Sequence, residues 1–164
     1  MNGVSKKIEL IANLAIIGVA VMIGFVFWQK YTASLAPKLP EVPVGAKLVL
    51  PEVDWAKNGR TLVLVLQEGC KYCTESAAFY QRLVRESAQR NLPLIAVLPQ
   101  PHSNGKKYLN YLEVPINEIR QSSLSDIKVS GTPTLLLVNQ QGEVTKGWVG
   151  KLPAEKEAEV FSSL

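Results

Sequence analysis

The stretch from Thr61 to Cys73 constrains what this chain can fold into more than any other. Thr61-Leu62-Val63-Leu64-Val65-Leu66 is a short, unbroken apolar run, β-branched in part. Such a run predicts a strand buried on both faces, as in a parallel sheet. Gln67-Glu68-Gly69 interrupts it and Cys70-Lys71-Tyr72-Cys73 follows at once. Beyond Cys73 the period changes to 3.6. Ala77, Tyr80, Leu83, Val84 and Ala88 fall on one side, Arg82, Arg85, Glu86 and Gln89 on the other, and Glu86 and Arg90 form an i,i+4 pair. Asn91 and Pro93 stop this helix. Leu94-Ile95-Ala96-Val97-Leu98 is a second buried strand, so strand, helix and strand follow in order. A parallel pairing through a right-handed crossover is the default for such a unit.

The flanking sequence extends the pattern. Lys47 to Leu50 reads as a short edge strand ended by Pro51, and Asn58-Gly59 as a turn. Ser103 to Leu112 reads as a short helix with Tyr108, Leu109 and Leu112 inward, although Gly105 interrupts it. Residues 113–130 show no clear period; Ile116, Ile119, Leu124, Ile127 and Val129 are their core candidates. Thr134-Leu135-Leu136-Leu137-Val138 is a third buried strand, Asn139 to Gly142 a hairpin turn, and Val144 to Val149 the returning strand. Pro153 opens a last helix, with Glu155, Glu157 and Glu159 toward its positive end and Val160, Phe161 and Leu164 apolar.

Cys70 and Cys73 are the chain's only cysteines. Cys70 falls where a buried strand gives way to a helix, and the unpaired N–H groups of a helix start stabilise a thiolate there. Lys71 adds a nearby positive charge. Both effects would lower the pKa of Cys70, with Cys73 one turn further in and able to close a disulfide. A thiolate at Cys70 attacks a disulfide to form a mixed disulfide, and Cys73 then resolves it. The competing readings are weaker. A structural disulfide across so small a loop adds only about 2 kcal/mol. A structural zinc needs four ligands; the pair supplies two, and His102 is the only histidine.

The N-terminal end is of another kind. No charged residue occurs from Leu10 to Gln29, and about 20 apolar residues span the roughly 30 Å core of a bilayer. Lys6 and Lys7 with Ser34-Leu35-Ala36 would also suit a cleaved signal peptide. The run is long for that, however, and ends in Phe25, Phe27, Trp28 and Tyr31, which resembles an interfacial belt. The expected organisation is a short basic tail at 1–9, a transmembrane anchor at 10–30, a spacer at 31–45 with Pro37, Pro40 and Pro43, and a domain at 46–164. A short basic tail stays in the cytoplasm as a rule, which places the domain on the extracytoplasmic side. Ala20 and Gly24 have helix-packing spacing, a pattern common by chance.

Beyond the apolar segment, residues 31–164 carry 15 Lys or Arg against 13 Asp or Glu. Lys106-Lys107 is the only basic pair there, and a solvated helix face accounts for it. Nucleic-acid binding has little support.

Three features together resemble the thioredoxin superfamily, in particular its membrane-anchored TlpA- and ResA-like thiol–disulfide oxidoreductases. They are the strand running into Cys70-Lys71-Tyr72-Cys73, Val129-Ser130-Gly131-Thr132-Pro133-Thr134 at the head of a hydrophobic strand, and the hairpin Val138 to Val144 followed by Trp148-Val149-Gly150. The resemblance covers about residues 46–164. It implies a thioredoxin-like α/β fold, a mixed central sheet flanked by helices, behind the single transmembrane helix. It implies Cys70 as nucleophile, Cys73 as resolving thiol, and no cofactor beyond the redox-active Cys70–Cys73 disulfide. Pro133 would be a cis proline that turns the Thr132 backbone toward a client chain, and Lys71 and Tyr72 would tune the pair. The expected partners are protein dithiols or disulfides and a membrane electron donor, and the resemblance favours the reducing direction. Three departures stand out: Gly69 where many members have Trp, Lys71-Tyr72 where many have Pro or Gly, and Leu64 where the family often buries a carboxylate. Two other functions share these residues: a Cu(I) metallochaperone using Cys70, Cys73 and His102, and a non-catalytic tethered binding module.

Overall fold

In the computed structural model, which describes residues 15–28 and 44–164, strand β1 (Thr61–Val65) is buried along its whole length, as its apolar run requires. Residues 15–28 form a separate helix, α1, in a unit of its own. Around β1 the chain lays down α2 (Trp55–Asn58), α3 (Lys71–Glu75), α4 (Ala77–Gln89), β2 (Leu94–Leu98), α5 (His102–Tyr111), β3 (Glu118–Gln121), β4 (Thr134–Val138), β5 (Val144–Val149) and α6 (Ala154–Ser163). The five strands form one mixed sheet in the order β3-β2-β1-β4-β5. β2 runs parallel to β1 with Leu62 opposite Leu94, and β3 runs parallel to β2. β4 is antiparallel to β1, pairing Leu64 with Leu135, and β5 is antiparallel to β4.

Alternation along the strands divides the core in two. Leu62, Leu64, Leu66, Ala96, Leu98, Leu135 and Leu137 face the side covered by α4, α5 and α6. Val63, Val65, Ile95, Val97, Leu136 and Val138 face the other, which is closed by Leu48, Leu50, Ile127, Val129 and the half-buried Trp55 of α2. The helices that bury most surface therefore share one face.

Several expectations are corrected here. Lys47 to Leu50 forms an isolated bridge to Glu143 rather than a strand, while Leu48 and Leu50 are buried. The helix after Cys73 is two helices, broken at Ser76, whose hydroxyl donates to the Tyr72 carbonyl at 2.8 Å. Such back-bonding bends helices. Of the expected inward face of α4, Tyr80 and Leu83 are buried and Ala77 and Val84 half-buried against the core; Ala88 is exposed, and Phe79 and Ser87 are buried in addition. Ser87 is tolerated inside because its hydroxyl donates to Val84 O. The unreadable stretch contains an edge strand, β3, and four of its five core candidates are buried; Leu124 is half-buried. Gly105 is buried inside α5, where a Cβ would meet Leu98 Cδ1 at 3.4 Å and Ile119 Cγ2 at 3.5 Å, ordinary contact distances, so space there does not demand a glycine.

The N-terminal expectations fall partly outside the described residues, which exclude the basic tail, the ends of the apolar run and the spacer up to residue 43. Residues 15–28 are helical and exposed, with Ile16, Ile17, Val21, Met22, Phe25 and Phe27 in the open. This portion is about 21 Å long at a 1.5 Å rise. Among the described residues no helix is long and apolar enough to cross a membrane.

Candidate active site

β1 ends at Val65, and Gln67 to Gly69 turns the chain back so that Cys70 becomes the N-cap of α3. Gly69 sits at φ +81°, a left-handed conformation that side-chain-bearing residues adopt only with strain. This explains why the position before the first cysteine is glycine here. Cys70 is half-buried and Cys73 fully buried, and both are free thiols.

The helix start works as the sequence suggests. The Cys73 amide donates to Cys70 Sγ at 3.2 Å, as an N-cap side chain accepts from the third helical N–H. The Cys70 thiol in turn donates to Thr132 O at 3.4 Å. Thr132-Pro133 is cis. The segment is fixed on both sides: Gly150 N–H donates to Pro133 O at 2.7 Å, and Thr134 Oγ1 to Gly131 O at 2.8 Å. Two segments distant in sequence thus meet at one sulfur.

The two thiols are pushed apart electrostatically. Partial burial acts to raise Cys70, but hydrogen bonds from the side chains of Cys73 and Thr132 and from the backbone N–H groups of Cys73 and Tyr72 outweigh it and hold the thiol below its ordinary value. Burial, reinforced by the hydrogen bond to Cys70, pushes Cys73 up to about 12. Lys71 is turned toward solvent and toward Glu75. Its side chain is 80% exposed and its ammonium stands 3.8 Å from Glu75, which also accepts from Lys151 at 2.9 Å. The expected lowering of Cys70 is present, and the helix-start N–H groups contribute to it as expected, with the Cys73 and Thr132 side chains adding to them. Tyr72 is exposed beside the nucleophile.

Glu68 is exposed in the loop before Cys70, and Leu64 is buried in apolar surroundings. Among the described residues no group of three His, Cys, Asp or Glu side chains could hold a metal ion, so the copper reading gains no third ligand. A cleft of about 520 Å³ opens beside the cysteine loop, lined by Glu68, Gly69, Thr74, Lys107, Tyr108 and Tyr111. Nothing in the sequence marks this cleft, since the period of α5 does not distinguish Tyr111 from a solvated residue. Tyr80 likewise has the pattern of a plain core residue. The Tyr80 phenol is buried with no partner in hydrogen-bonding geometry, and burial raises its pKa; the nearby Ser76 hydroxyl opposes that rise, and Cys73 and Cys70 add to it by smaller amounts.

A mixed five-stranded sheet carrying a dithiol at a helix start, opposite a cis proline, defines a thioredoxin-like α/β fold. No protein-family model and no curated protein sequence matches the chain. Among solved structures, it is similar to the thioredoxin domain of a thiol-disulfide oxidoreductase from Bacteroides vulgatus, with 13% identity and a TM-score of 0.56 over 75% of this chain and 98% of that one. It is similar also to a thiol:disulfide interchange protein of the thioredoxin family from Chlorobium tepidum (15%, 0.53, 75% and 96%) and to StoA from Bacillus subtilis (16%, 0.52, 75% and 99%). At such identities the likeness establishes the fold, and activity has to be argued from the site.

Proposed function

We propose that this protein is a thiol–disulfide oxidoreductase, tethered to a membrane through residues 10–30, that exchanges disulfides with extracytoplasmic protein clients. One observation carries the activity: Cys70 Sγ accepts the Cys73 amide at 3.2 Å while lying 3.4 Å from Thr132 O. The nucleophile is therefore partly exposed, low in pKa, and adjacent to backbone that an extended client can pair with as an added strand. The Cys70 thiolate attacks a client disulfide, forming the Cys70–client bond as the client's other sulfur leaves with the electron pair. Cys73, having lost its proton, then attacks Cys70 Sγ, closing the Cys70–Cys73 disulfide and releasing the second client sulfur as a thiolate. A membrane electron donor returns the pair to the dithiol. Run in reverse, the same steps donate a disulfide.

The tether rests on the uncharged run from Leu10 to Gln29 and on the exposed apolar side chains of residues 15–28. Incubating the full chain in detergent with a protein disulfide and a small thiol reductant tests the activity. Turnover lost in Cys70→Ser is the expected result, and equal turnover in that variant rejects the reading in favour of a binding module. Retention of the chain in the membrane pellet after alkaline extraction is expected of the tether; release into the supernatant refutes it.

A further inference from the structure

Resolution demands an anion where the core is least hospitable. Cys73 is 0% exposed, and its attack on Cys70 requires it to carry a negative charge there. An anion in an apolar core is costly unless a donor faces it. The strand position from which the family's carboxylate would act is Leu64, itself buried in the cluster that holds Cys73.

That same cluster contains one unemployed donor. Tyr80 is 1% exposed, and its hydroxyl has no hydrogen-bond partner. Buried polar groups in native proteins are almost always paired, so an orphan of this kind asks for a reason. Ser76, one turn before it, donates its hydroxyl to Tyr72 O at 2.8 Å; it lies near enough to the phenol to oppose the upward shift of its pKa, but not in hydrogen-bonding geometry. Cys73, Ser76, Tyr80 and Leu83 are all buried, on either side of the break between α3 and α4. Long helical side chains lean toward the N-terminus, which carries the phenol of Tyr80 back toward Cys73. After burial, the charges of Cys73 and Cys70 also act to raise the phenol's pKa. Phe79, with ring centroids 5.7 Å away, packs against its ring.

We infer that the Tyr80 O–H is held in reserve as the hydrogen-bond donor that stabilises the Cys73 thiolate during resolution. This rests on the exchange chemistry proposed above. In the mixed disulfide the Cys73 thiol gives its proton to a solvent base, and the resulting thiolate accepts the Tyr80 hydrogen bond. Its electron pair then forms the bond to Cys70 Sγ as the Cys70–client bond breaks, and the client sulfur leaves as a thiolate that solvent protonates. Tyr80 keeps its proton throughout. Burial raises its pKa, so the phenol remains a neutral donor and never repels the thiolate. The other titratable groups here are Cys70, Tyr108 of α5, whose hydroxyl is already paired with Thr74 Oγ1 at 3.3 Å, and Glu68 beyond Tyr108. The sheet contributes Leu64, Leu66 and Leu135 and α6 contributes Val160 and Phe161, all apolar.

The test is Tyr80→Phe in the full chain, reduced and mixed with the aromatic disulfide 5,5′-dithiobis(2-nitrobenzoate) in a stopped-flow instrument. Release of the first chromophore reports Cys70 attack, and release of the second reports resolution by Cys73. Raising the Cys73 pKa by one unit leaves tenfold less thiolate, partly offset by its greater nucleophilicity, for a net loss of about threefold. The expected result is an unchanged first phase and a second phase about threefold slower across the rising limb of its pH profile. Because the lost hydroxyl is unpaired in the dithiol, the denaturation midpoint of reduced Tyr80→Phe should equal or exceed that of the parent chain. An unchanged second phase, or a lowered midpoint, overturns the inference while leaving the exchange activity intact. Absence of both phases in the parent chain overturns the exchange reading itself.

Discussion

Chemical modification of the reduced chain should be strongly one-sided, and the structure sets the scale. Cys73 is pushed up to about 12 by burial and by its hydrogen bond to Cys70, against an ordinary value of 9.0. At pH 8 that leaves roughly 1 thiolate in 10⁴, compared with about 1 in 10 for an ordinary thiol, a deficit of about 10³. A more basic thiolate is more nucleophilic, with a Brønsted slope of about 0.4–0.5, which returns a factor of about 20. Ionisation alone therefore slows Cys73 about 50-fold, and its complete burial slows it further. Cys70, lowered and partly open, has no such handicap. The assay is a time course of the full chain with iodoacetamide at pH 8, quenched and read by intact mass and by peptide mapping. One adduct on Cys70 should accumulate long before the second, and in concentrated guanidinium the two cysteines should react within about twofold of each other. Two adducts forming at similar rates in the folded chain, or a first adduct on Cys73, would refute the reasoning.

Other expectations follow from the same geometry. A raised Cys73 pKa means that the folded dithiol holds its proton where the unfolded chain has lost it. This thiol's contribution to stability is therefore fully present below about pH 9 and declines as pH rises toward 12, by up to about 4 kcal/mol; urea midpoints of the reduced chain should fall more steeply over that range than those of Cys73→Ser. Lys71→Gln should leave the titration of Cys70 where it is, read from thiolate absorbance, because its ammonium faces Glu75; a clear rise would restore the charge-based explanation. Gly142 sits at φ +78°, and a Cβ there would fall 2.8 Å from Trp55 Cδ1. Gly142→Ala should accordingly cost roughly 2–3 kcal/mol by chemical denaturation, and a loss under about 0.5 kcal/mol would contradict the contact.

The parts of the fold that the sequence discloses are those where burial is continuous. β1, β2 and β4 are unbroken apolar runs, and each is found where its run lies. β3 is Glu-Ile-Arg-Gln at the sheet edge and buries only Ile119, so no period betrays it. The break between α3 and α4 depends on which carbonyl Ser76 Oγ chooses, a geometric fact that composition does not carry. At the site, the cysteine spacing and Thr132-Pro133 were both visible, because each imposes a local backbone requirement. The source of the Cys70 shift was legible in part. The N–H groups of the helix start, Cys73 and Tyr72 among them, follow from the local pattern, whereas the Thr132 contribution comes from a residue that only folding brings near. Tyr80 stayed hidden for a related reason: an inward aromatic is indistinguishable from packing until its hydroxyl is seen to lack a partner.

The central claim, that Cys70 is the sulfur through which this protein exchanges disulfides, is tested most directly by trapping the intermediate. The full chain carrying Cys73→Ser, incubated with a disulfide-bonded protein, should form a stable covalent adduct that maps to Cys70 and dissolves on reduction, while Cys70→Ser forms none. No adduct in Cys73→Ser, or an equal yield of adduct through Cys73 in Cys70→Ser, would contradict it.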